Sequence, residues 1–449
     1  MQSDDQRNVE RLTEQLRSEG IDVLRIGYAD LIGTERGRDL VVETLAHHLG
    51  EGGIAFCRGV FHTSPRGDVV PVAGGLDAGL PDVLAKPDLS TVRKIPWEDG
   101  VAHVLADIVE PDGRPCAESP RSVLRSVVGR CEAENLVPVV GPEMEFYLLE
   151  GSSSSGWRRY GEAPGNVYVA GRKGDPENLL LEFLRQLARY GIRATAGNHE
   201  FFSGQFEINI GHSHALDAAD RAFRFRTAVK ELARRAGKHA TFMAKPFNEE
   251  GGSGFHLHFS IVDPSDRSLF ADEAAPTGLS SLAEHAVAGI LAHAPALAAF
   301  NNPTINSYKR FGPDTLASWL IDWGLDNRST MVRIPPERGD ATRIEVRLGD
   351  ATANPYLAIA SVVAGAYLGI EEKLTPPPPT EGYGYDASRS RLLPRNLEAA
   401  LDALEADTEL TEILGKPLIS AFVTYKRNEL ERFAHYVTDW EVGEYLYHL

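Results

Sequence analysis

The sequence predicts an α+β fold with a small N-terminal domain, residues 1–105, and a larger C-terminal domain, residues 106–449. In the first region, short helical and strand-like periodicities alternate, whereas the second contains longer strands and long helical stretches. The length of 449 residues and the hydrophobic content of 43% are sufficient for a large core and two domains.

The N-terminal region begins with a predicted helix, because Val9, Leu12 and Leu16 recur at helical spacing and Gly20 follows as a C-cap. The segment IDVLRIGYAD then predicts a strand, Gly33 a turn and RDLVV a returning strand. The segment VETLAHHLGEGG predicts a short helix that ends at its glycines. Loops containing Gly and Pro follow, so this region is expected to be a small α+β domain.

The C-terminal region contains three predicted helices. Ser119 and Pro120 are typical of a helix N-cap and first turn, and they precede RSVLRSVVGRCEAEN. The segments NLEAALDALEADTELTEIL and LISAFVTYKRNELERFAHYV are also helical in pattern. The GSSSSG segment predicts a flexible loop, and the four prolines at 376–379 predict an extended surface connection.

The charge balance limits the classes of partner. There are 46 Lys+Arg against 64 Asp+Glu, a net charge of −18, which disfavours nucleic acid and anionic membrane surfaces. The uncharged stretches 285–302 and 356–370 are interrupted or too short to span a membrane, and the acidic N-terminus does not resemble a signal peptide. Three cysteines without a CxxC pair are consistent with a cytoplasmic location.

The strand predicted at residues 137–150 places two carboxylates on one face. Because side chains alternate along a strand, Glu143 and Glu145 share one face, while Met144 and Phe146 take the other. A single strand of this kind could simply have a solvated face. Three later strands repeat the arrangement, with polar faces formed by Glu207 and Asn209, by His256, His258 and Ser260, and by Arg343, Glu345 and Arg347.

Four such strands together predict a shared polar concavity. Glu and His suit Mg²⁺ or Mn²⁺, and the lack of Cys on these faces argues against structural zinc. Gly251–Gly254 precede the His strand, where small residues allow a ligand to approach the backbone, although a plain hairpin turn would also explain them. Five arginines, which would bind carboxylate and phosphate unless they form surface ion pairs, are Arg310, Arg328, Arg333, Arg343 and Arg347.

The motifs GPEMEF, HE, GQFEI, KPF, GSGFHLH, NPTINSYKR, DNRSTMVRIP, RIEVR and ANPYLA occur in this order. In this combination the sequence resembles the type I glutamine synthetase family, most closely its branch that makes γ-glutamylpolyamines or γ-glutamylethanolamide. The resemblance implies a β-grasp N-terminal domain and a C-terminal domain whose antiparallel strands line a funnel. It also implies a homo-oligomer of stacked six-subunit rings with active sites between neighbours.

The family transfers phosphate from ATP to the γ-carboxylate of glutamate and lets an amine nucleophile displace it. The resemblance implies two or more Mg²⁺ or Mn²⁺ ions per site. It assigns one metal to Glu145, Glu200 and Glu207, and another to Glu143, His256 and Glu345. The implied glutamate ligands are Gly252, His256, Arg310 and Arg347; the implied ATP ligands are His258, Ser260, Arg333 and Arg343; and the implied catalytic residues are Arg328, Arg333 and Glu200.

The sequence departs from the family pattern where ammonium would bind. An FDGSS-like segment is replaced by residues 56–60, so that its Asp corresponds to Cys57 and its last Ser to Val60. A flap glutamate corresponds to Leu316, within residues 313–318, and the Asn before GSG corresponds to Gly251. Ammonium is strongly hydrated and needs several acceptors, so this subsite favours an alkyl-bearing amine.

The predicted reaction is therefore the ATP-dependent joining of glutamate to a primary amine, either a small monoamine such as ethanolamine or a polyamine. Cys57, Val60, Tyr168 and Leu316 are predicted to form the amine subsite, with Glu200 orienting or deprotonating the aminium group. Arg58 and the missing acids favour a monoamine over a polycation. The alternatives are a true ammonium-using glutamine synthetase and a non-catalytic structural or regulatory relative.

Overall fold

The computed structural model describes residues 2–49, 52–161, 165–313, 315–388 and 390–449. The N-terminal region forms a mixed sheet with strand order β2-β1-β6-β4-β3, in which β5 also pairs with β6. Strand β1 runs parallel to β6 and antiparallel to β2, an arrangement that fits the expected β-grasp domain. The elements are α1 (Gln2–Ser18), β1 (Val23–Ala29), β2 (Glu35–Val41), α2 (Leu45–Leu49), β3 (Ile54–Cys57), β4 (Asp82–Pro87), β5 (Arg93–Lys94) and β6 (Val101–Val109).

The second region contains a large, mostly antiparallel sheet. Its strand order is β14-β15-β16-β13-β7-β10-β9, and three short strands pair with β7 off this path. The strands are β7 (Val137–Ser152), β8 (Gly156–Arg159), β9 (Ala194–His199), β10 (Gln205–Ile210), β11 (Ser213–His214), β12 (His239–Thr241), β13 (Gly254–Val262), β14 (Trp323–Leu325), β15 (Val332–Ile334) and β16 (Ile344–Asp350).

Helices cover the apolar face of this sheet. Leu257, Phe259, Val346 and Leu348 point away from the polar face and are almost fully buried in the main core. The helices are α3 (Pro120–Ala133), α4 (Leu179–Arg189), α5 (Ala215–Arg235), α6 (Ser281–Asn301), α7 (Pro355–Glu371), α8 (Leu397–Ala406), α9 (Thr408–Leu414), α10 (Lys416–Ala434) and α11 (Asp439–Tyr445).

The predicted α+β class is confirmed, with differences at individual elements. Ser119 occupies the N-cap of α3, but its side chain makes no capping hydrogen bond. The stretch predicted as one helix from Asn396 is divided into α8 and α9, because Asp407 accepts a hydrogen bond from the amide of Leu410 and starts a new helix. The GSSSSG segment forms the turn of the β7–β8 hairpin, and Gly50 and Glu51, after α2, lie outside the described residues.

Helix α6 is the most apolar of the helices with 18 or more residues in the described part of the chain. In the described residues, Ser281–Asn301 has the length and mean hydropathy, 1.3, of a membrane-crossing helix by length and composition alone. However, 72% of that apolar window is buried inside the protein, where α6 packs against α7 and α8. This helix therefore has the burial of a core helix.

Two hydrophobic clusters accompany the two sheets. The smaller one joins α1 to the N-terminal sheet and extends to Cys116, while the larger one surrounds the second sheet. Strand β6 crosses the predicted boundary between residues 105 and 106. The two-domain division at that position stays a prediction.

Candidate active site

Strand pairing places the predicted polar residues in cross-strand rows. On the polar face, Asn209 lies opposite Glu143, and His256 lies opposite Glu143 from the other side. The Asn209 amide donates to a Glu143 oxygen at 2.7 Å, and His256 Nδ1 lies 2.9 Å from the other Glu143 oxygen. Both oxygens of Glu143 are therefore held by neighbouring strands.

Glu345 occupies the centre of a second row, between His258 on β13 and Arg333 on β15. Arg333 and Arg347 each donate to one of its oxygens at 2.5 Å. Burial opposes the negative charge of Glu345, but Arg347 and the two histidines outweigh it and lower the pKa of Glu345 to about 2. The carboxylate therefore remains ionised within a buried set of cations.

A second group of carboxylates lies on the opposite side of Glu143. Glu145 faces Glu207 across the β7–β10 pair, and its oxygen accepts from the Gln205 amide at 3.0 Å and from the Gly254 amide at 2.8 Å. Burial and the nearby Glu143, Glu145 and Glu200 raise the pKa of Glu207, and burial followed by Glu145 raises that of Glu200. Carboxylates that repel each other in this way would be stabilised by a bound cation.

The donor set fits the predicted divalent metals. The ligand atoms of Glu143, His258 and Glu345 lie within 4.8 Å of one another, as do those of Glu143, Glu207 and His256. Oxygen-rich sites with one imidazole suit Mg²⁺ or Mn²⁺. Glu143 is shared by both groups, whereas the resemblance grouped Glu143 with His256 and Glu345, and Glu145 with Glu200 and Glu207. The expected metal sets stay a prediction.

The residues predicted to bind glutamate also converge. A side-chain carbon added at Gly252 would lie 2.3 Å from Arg310 Cγ, so the absence of a side chain there allows the close approach. Arg310 is buried and donates to the carbonyls of Leu348 and Gly349 at 3.1 and 3.0 Å. Arg347 follows Glu345 on the same face of β16.

A cleft of about 960 Å³ opens beside the metal group. Its walls include Glu143, His258, Ser260 and Arg343, among them three of the predicted ATP ligands. Arg343 Nε donates to His258 Nδ1 at 3.2 Å, which directs the other ring nitrogen of His258 towards Glu143. The fourth predicted ATP ligand, Arg333, donates to Glu345 of the first metal group and also binds Asp326 at 2.6 Å.

Two of the predicted amine-subsite residues lie at the edge of this site. The carbonyl of Leu316 accepts from Arg347 at 3.4 Å, and its side chain is 40% exposed. Tyr168 is exposed, and partial desolvation together with Glu200 and Glu207 raises its pKa, while Arg328 opposes the shift. Arg328 is exposed and has no hydrogen-bond or ion-pair partner among the described residues. Asp314, in the same segment as Leu316, lies outside the described residues.

The other two predicted amine-subsite residues belong to the N-terminal sheet. Cys57 ends β3, with its sulfur 3.9 Å from the carbonyl of Leu80, and Val60 packs against the smaller core. No contact in the described structure joins either residue to Glu200 or Leu316. Arg58 forms ion pairs with Glu110 at 2.5 Å and Glu118 at 3.7 Å. Its charge is therefore already paired with two carboxylates and gives little argument against a polyamine.

Several supporting residues were not singled out in the sequence. Gln205 and Asn198 hold Glu145 and Glu200 by amide hydrogen bonds of 3.0 and 2.9 Å. The alternation along β10 places Gln205 on the face of Glu207 and could have identified it. Phe202 is less visible in the sequence: a side-chain carbon at Gly251 would lie 2.1 Å from its ring. No periodicity predicts that contact, because both residues lie in loops.

The antiparallel sheet and its buried rows of carboxylates, imidazoles and guanidinium groups define an enzyme that binds divalent cations together with anionic substrates. The glutamine synthetase catalytic-domain profile matches residues 117–445. A glutamine synthetase from Methanocaldococcus jannaschii is 35% identical over 450 residues, covering 98% of each chain. A glutamate–isopropylamine ligase from a Pseudomonas species is 32% identical over 456 residues, covering 99% of each.

The structure is also similar to a solved structure described as apo GmaS without ligand. The TM-score is 0.86 at 32% sequence identity, covering 97% of this chain and 99% of the other. The chain therefore belongs to the glutamine synthetase family. It is an ATP-dependent, carbon–nitrogen bond-forming ligase of that family, whose members use divalent metals.

Proposed function

We propose that this ligase joins the γ-carboxylate of glutamate to a primary amine rather than to ammonium. The reaction consumes glutamate, the amine and ATP, and yields a γ-glutamylamide, ADP, inorganic phosphate and a proton. The observation that carries the proposal is Leu316, an exposed apolar side chain whose backbone binds Arg347, a proposed glutamate ligand. An alkyl group gains from apolar contact there, whereas ammonium has no apolar surface to bury.

The names of the relatives support two candidates, a ligase for a primary amine and an ammonium-using glutamine synthetase. One is named as a glutamate–isopropylamine ligase, and it aligns over almost the whole chain. The M. jannaschii relative, which is slightly more similar, is named as a glutamine synthetase. An ammonium-using glutamine synthetase is therefore the second candidate. It would need acids to replace those missing at Cys57 and Leu316.

The proposed roles follow from the geometry. Arg310, Arg347 and the backbone at Gly252 would hold the carboxylates of glutamate, and His258, Ser260 and Arg343 would contact ATP. The Glu143 and Glu207 groups would hold the metals, which neutralise phosphate charge and align the γ-phosphoryl group for transfer. Arg328 and Arg333 would stabilise the phosphoryl group as it moves to the γ-carboxylate.

The second half-reaction needs an uncharged amine. A proton must leave the aminium group before its nitrogen attacks the γ-carbonyl and expels phosphate. Glu200 is the proposed acceptor, because its carboxylate is oriented by Asn198 at 2.9 Å and lies within the electrostatic range of Tyr168. Cys57 and Val60 would complete the subsite from a neighbouring subunit of a stacked-ring oligomer. We infer a cytoplasmic enzyme, in line with its unpaired cysteines.

A phosphate-release assay tests the proposal. Glutamate, ATP and Mg²⁺ are held constant while ammonium is compared with ethanolamine, methylamine, isopropylamine, putrescine and spermine. We expect at least one primary amine to exceed ammonium in kcat/KM by about tenfold or more. Ammonium exceeding every amine would establish the second candidate, and no turnover with any nucleophile would favour a non-catalytic protein.

Restoring the two missing acids gives a sharper prediction. We expect Leu316→Glu combined with Cys57→Asp to raise ammonium activity relative to amine activity by roughly tenfold or more, because two carboxylates add acceptors for a small cation. The measurement is the ratio of kcat/KM values for ammonium and the preferred amine. Leu181→Glu, a change at an exposed leucine of α4, is the matched control. An unchanged ratio would contradict the proposed amine subsite.

A further inference from the structure

A second cavity, of about 370 Å³, lies between the N-terminal sheet and the helices that pack behind the large sheet. The turn after β1, the loop at residues 65–66, α5, the ends of α6 and α7, and α10 all contribute to it. None of the residues lining it also lines the 960 Å³ cleft. The hydrocarbon part of its wall is formed by Leu31, Ile32, Phe300, Leu357 and Phe422.

The charged part of the wall is mainly cationic. It contains Arg66, Arg226, Lys426 and Arg432 against one acid, Glu429. Lys426 is 3% exposed, and its ammonium lies 2.9 Å from the Glu429 carboxylate. Glu429 is thus used by Lys426, so the three arginines remain as excess positive charge around the cavity.

Arg226 is the most constrained of these arginines. One of its terminal nitrogens donates to the carbonyl of Ala353 at 2.8 Å, whereas its Nε is buried with no hydrogen-bond partner. Among the described residues, no carboxylate lies within 4.0 Å of this guanidinium. Burial lowers the pKa of Arg226 to about 10, although Asp30 and Asp350 partly oppose the shift. A buried cation with unused donors is costly unless an anion is nearby.

None of these charged groups has a role in the catalytic mechanism proposed above. Arg226 points away from the polar face of the large sheet, and Lys426 belongs to α10. Purely structural burial would explain one cation paired with one acid. It does not explain a buried arginine with an unused donor, Arg226, beside two rim arginines and five apolar side chains around one cavity.

We infer that this cavity is a second ligand site, which binds a small organic carboxylate with a hydrocarbon body. The carboxylate would be held by Arg226 with Arg66 and Arg432 at the rim, since guanidinium groups bind carboxylates in bidentate fashion. The hydrocarbon body would lie against Phe300, Phe422 and the neighbouring aliphatic side chains. These walls favour an apolar carboxylate over a small inorganic anion.

The position of the cavity connects it to the active-site scaffold. Thr304 and Thr352 line it, and the Thr304 hydroxyl lies 2.8 Å from that of Ser307. Ser307 begins the short helical turn that leads to Arg310. A ligand there would therefore contact the chain segment that carries Arg310 without entering the cleft.

Titration calorimetry on the full-length protein tests the inference, with benzoate as the probe and sulfate and acetate as comparators at constant ionic strength. We expect saturable benzoate binding that persists with saturating glutamate and Mg·ATP. We also expect benzoate to bind at least about tenfold more tightly than sulfate or acetate. Arg66→Ser and Arg432→Ser, at exposed rim positions, should each weaken binding by about fivefold or more.

Arg114→Ser is the matched control, because Arg114 is exposed and pairs only with Asp112 among the described residues. It should leave benzoate affinity unchanged. Arg226→Met tests the buried anchor, with the unfolding temperature measured in parallel to confirm a folded protein. The inference is overturned if benzoate does not bind, if glutamate displaces it, if sulfate or acetate binds equally well, or if the rim variants behave like Arg114→Ser.

Discussion

At the scale of single residues, Glu143 is the point where the proposed metal groups meet. It is bound by Asn209 and lies within hydrogen-bond distance of His256 and, at 3.4 Å, His258. Burial opposes the ionisation of Glu143, but the two histidines outweigh burial and lower its pKa. A carboxylate that stays ionised in a buried row is suited to hold a cation.

Substitution of this residue tests the metal assignment. We expect Glu143→Gln to weaken Mn²⁺ binding and to lower phosphate release by about 100-fold or more, because the amide keeps the size but removes the negative charge. Mn²⁺ binding is measured by electron paramagnetic resonance, independently of turnover. Glu150→Gln, at the far end of β7, is the control. Unchanged Mn²⁺ affinity in Glu143→Gln would exclude this carboxylate as a ligand.

Gly251 gives a second prediction at this scale. We expect Gly251→Ala to destabilise the protein by roughly 1–3 kcal/mol and to raise the KM for the amine, because its new carbon would meet the Phe202 ring. Phe202→Ala should relieve much of the loss in the double variant, measured as a thermodynamic cycle. Gly129→Ala is the control, since nothing lies within 4 Å of its added carbon. Additive effects would mean that the two positions are not coupled.

At the scale of elements, alternation along the chain predicted which residues of β7, β10, β13 and β16 share a polar face, and the strand registers place these residues beside one another. Alternation could not predict the strand order, because strands that are neighbours in the sheet are not neighbours in the sequence. Strand β7 lies between β10 and β13, and β13 pairs with β16. The pairing of Glu143 with His256 depends on that order. Contacts between loops, such as Phe202 with Gly251, depend on tertiary packing and have no local sequence signal.

The junction of α6 with α9 is an element-scale feature that local sequence did not reveal. His293, inside α6, lies 2.7 Å from an oxygen of Asp407, the residue that caps α9. Burial disfavours the charged imidazole, but the hydrogen bond to Asp407 and the charges of Asp407 and Glu409 outweigh it and raise the pKa of His293. The ion pair between protonated His293 and Asp407 therefore stabilises the junction of α6 with α9.

This shift predicts pH-dependent stability. A raised folded-state pKa means that the contribution is fully present below the unfolded-state value of about 6.5 and is lost as pH rises through the folded-state value. We expect His293→Gln to lower stability by about 1 kcal/mol at acidic pH and by less at alkaline pH. Thermal unfolding across this range measures the difference. Asp407→Asn, which keeps a capping side chain, should also reduce the pH dependence; a constant difference would contradict the assignment.

At the scale of the whole molecule, an ion network centred on the buried Arg121 joins the N-terminal sheet to helices α3 and α5. Arg121 of α3 donates to Asp88 at 2.8 Å and Asp107 at 2.5 Å in the N-terminal region, and to Asp220 of α5 at 2.8 Å. The hydroxyl of Tyr356 also donates to Asp220 at 2.7 Å. Burying such charges is tolerable because each has partners, so the network fixes one docking arrangement of the N-terminal sheet.

The C-terminal segment presents apolar side chains to solvent in the single chain. Around α11, Trp440 is 64% exposed, Tyr447 is 91% exposed and Leu449 is 98% exposed. An exposed apolar cluster of this kind is typical of a protein interface. We therefore expect it to be buried between subunits of the proposed stacked-ring oligomer.

Removing residues 436–449 tests this expectation at the level of assembly. If the segment joins two stacked rings, the molar mass from light scattering should fall to roughly half, because ring contacts elsewhere persist while the stacking contact is lost. Trp440→Ser combined with Tyr447→Ser should act in the same direction. Val41→Ser combined with Leu181→Ser, which changes exposed apolar residues elsewhere, should leave the mass unchanged. A truncated protein of undiminished mass would show that this segment does not connect the rings, and the exposed aromatic residues would then need another partner.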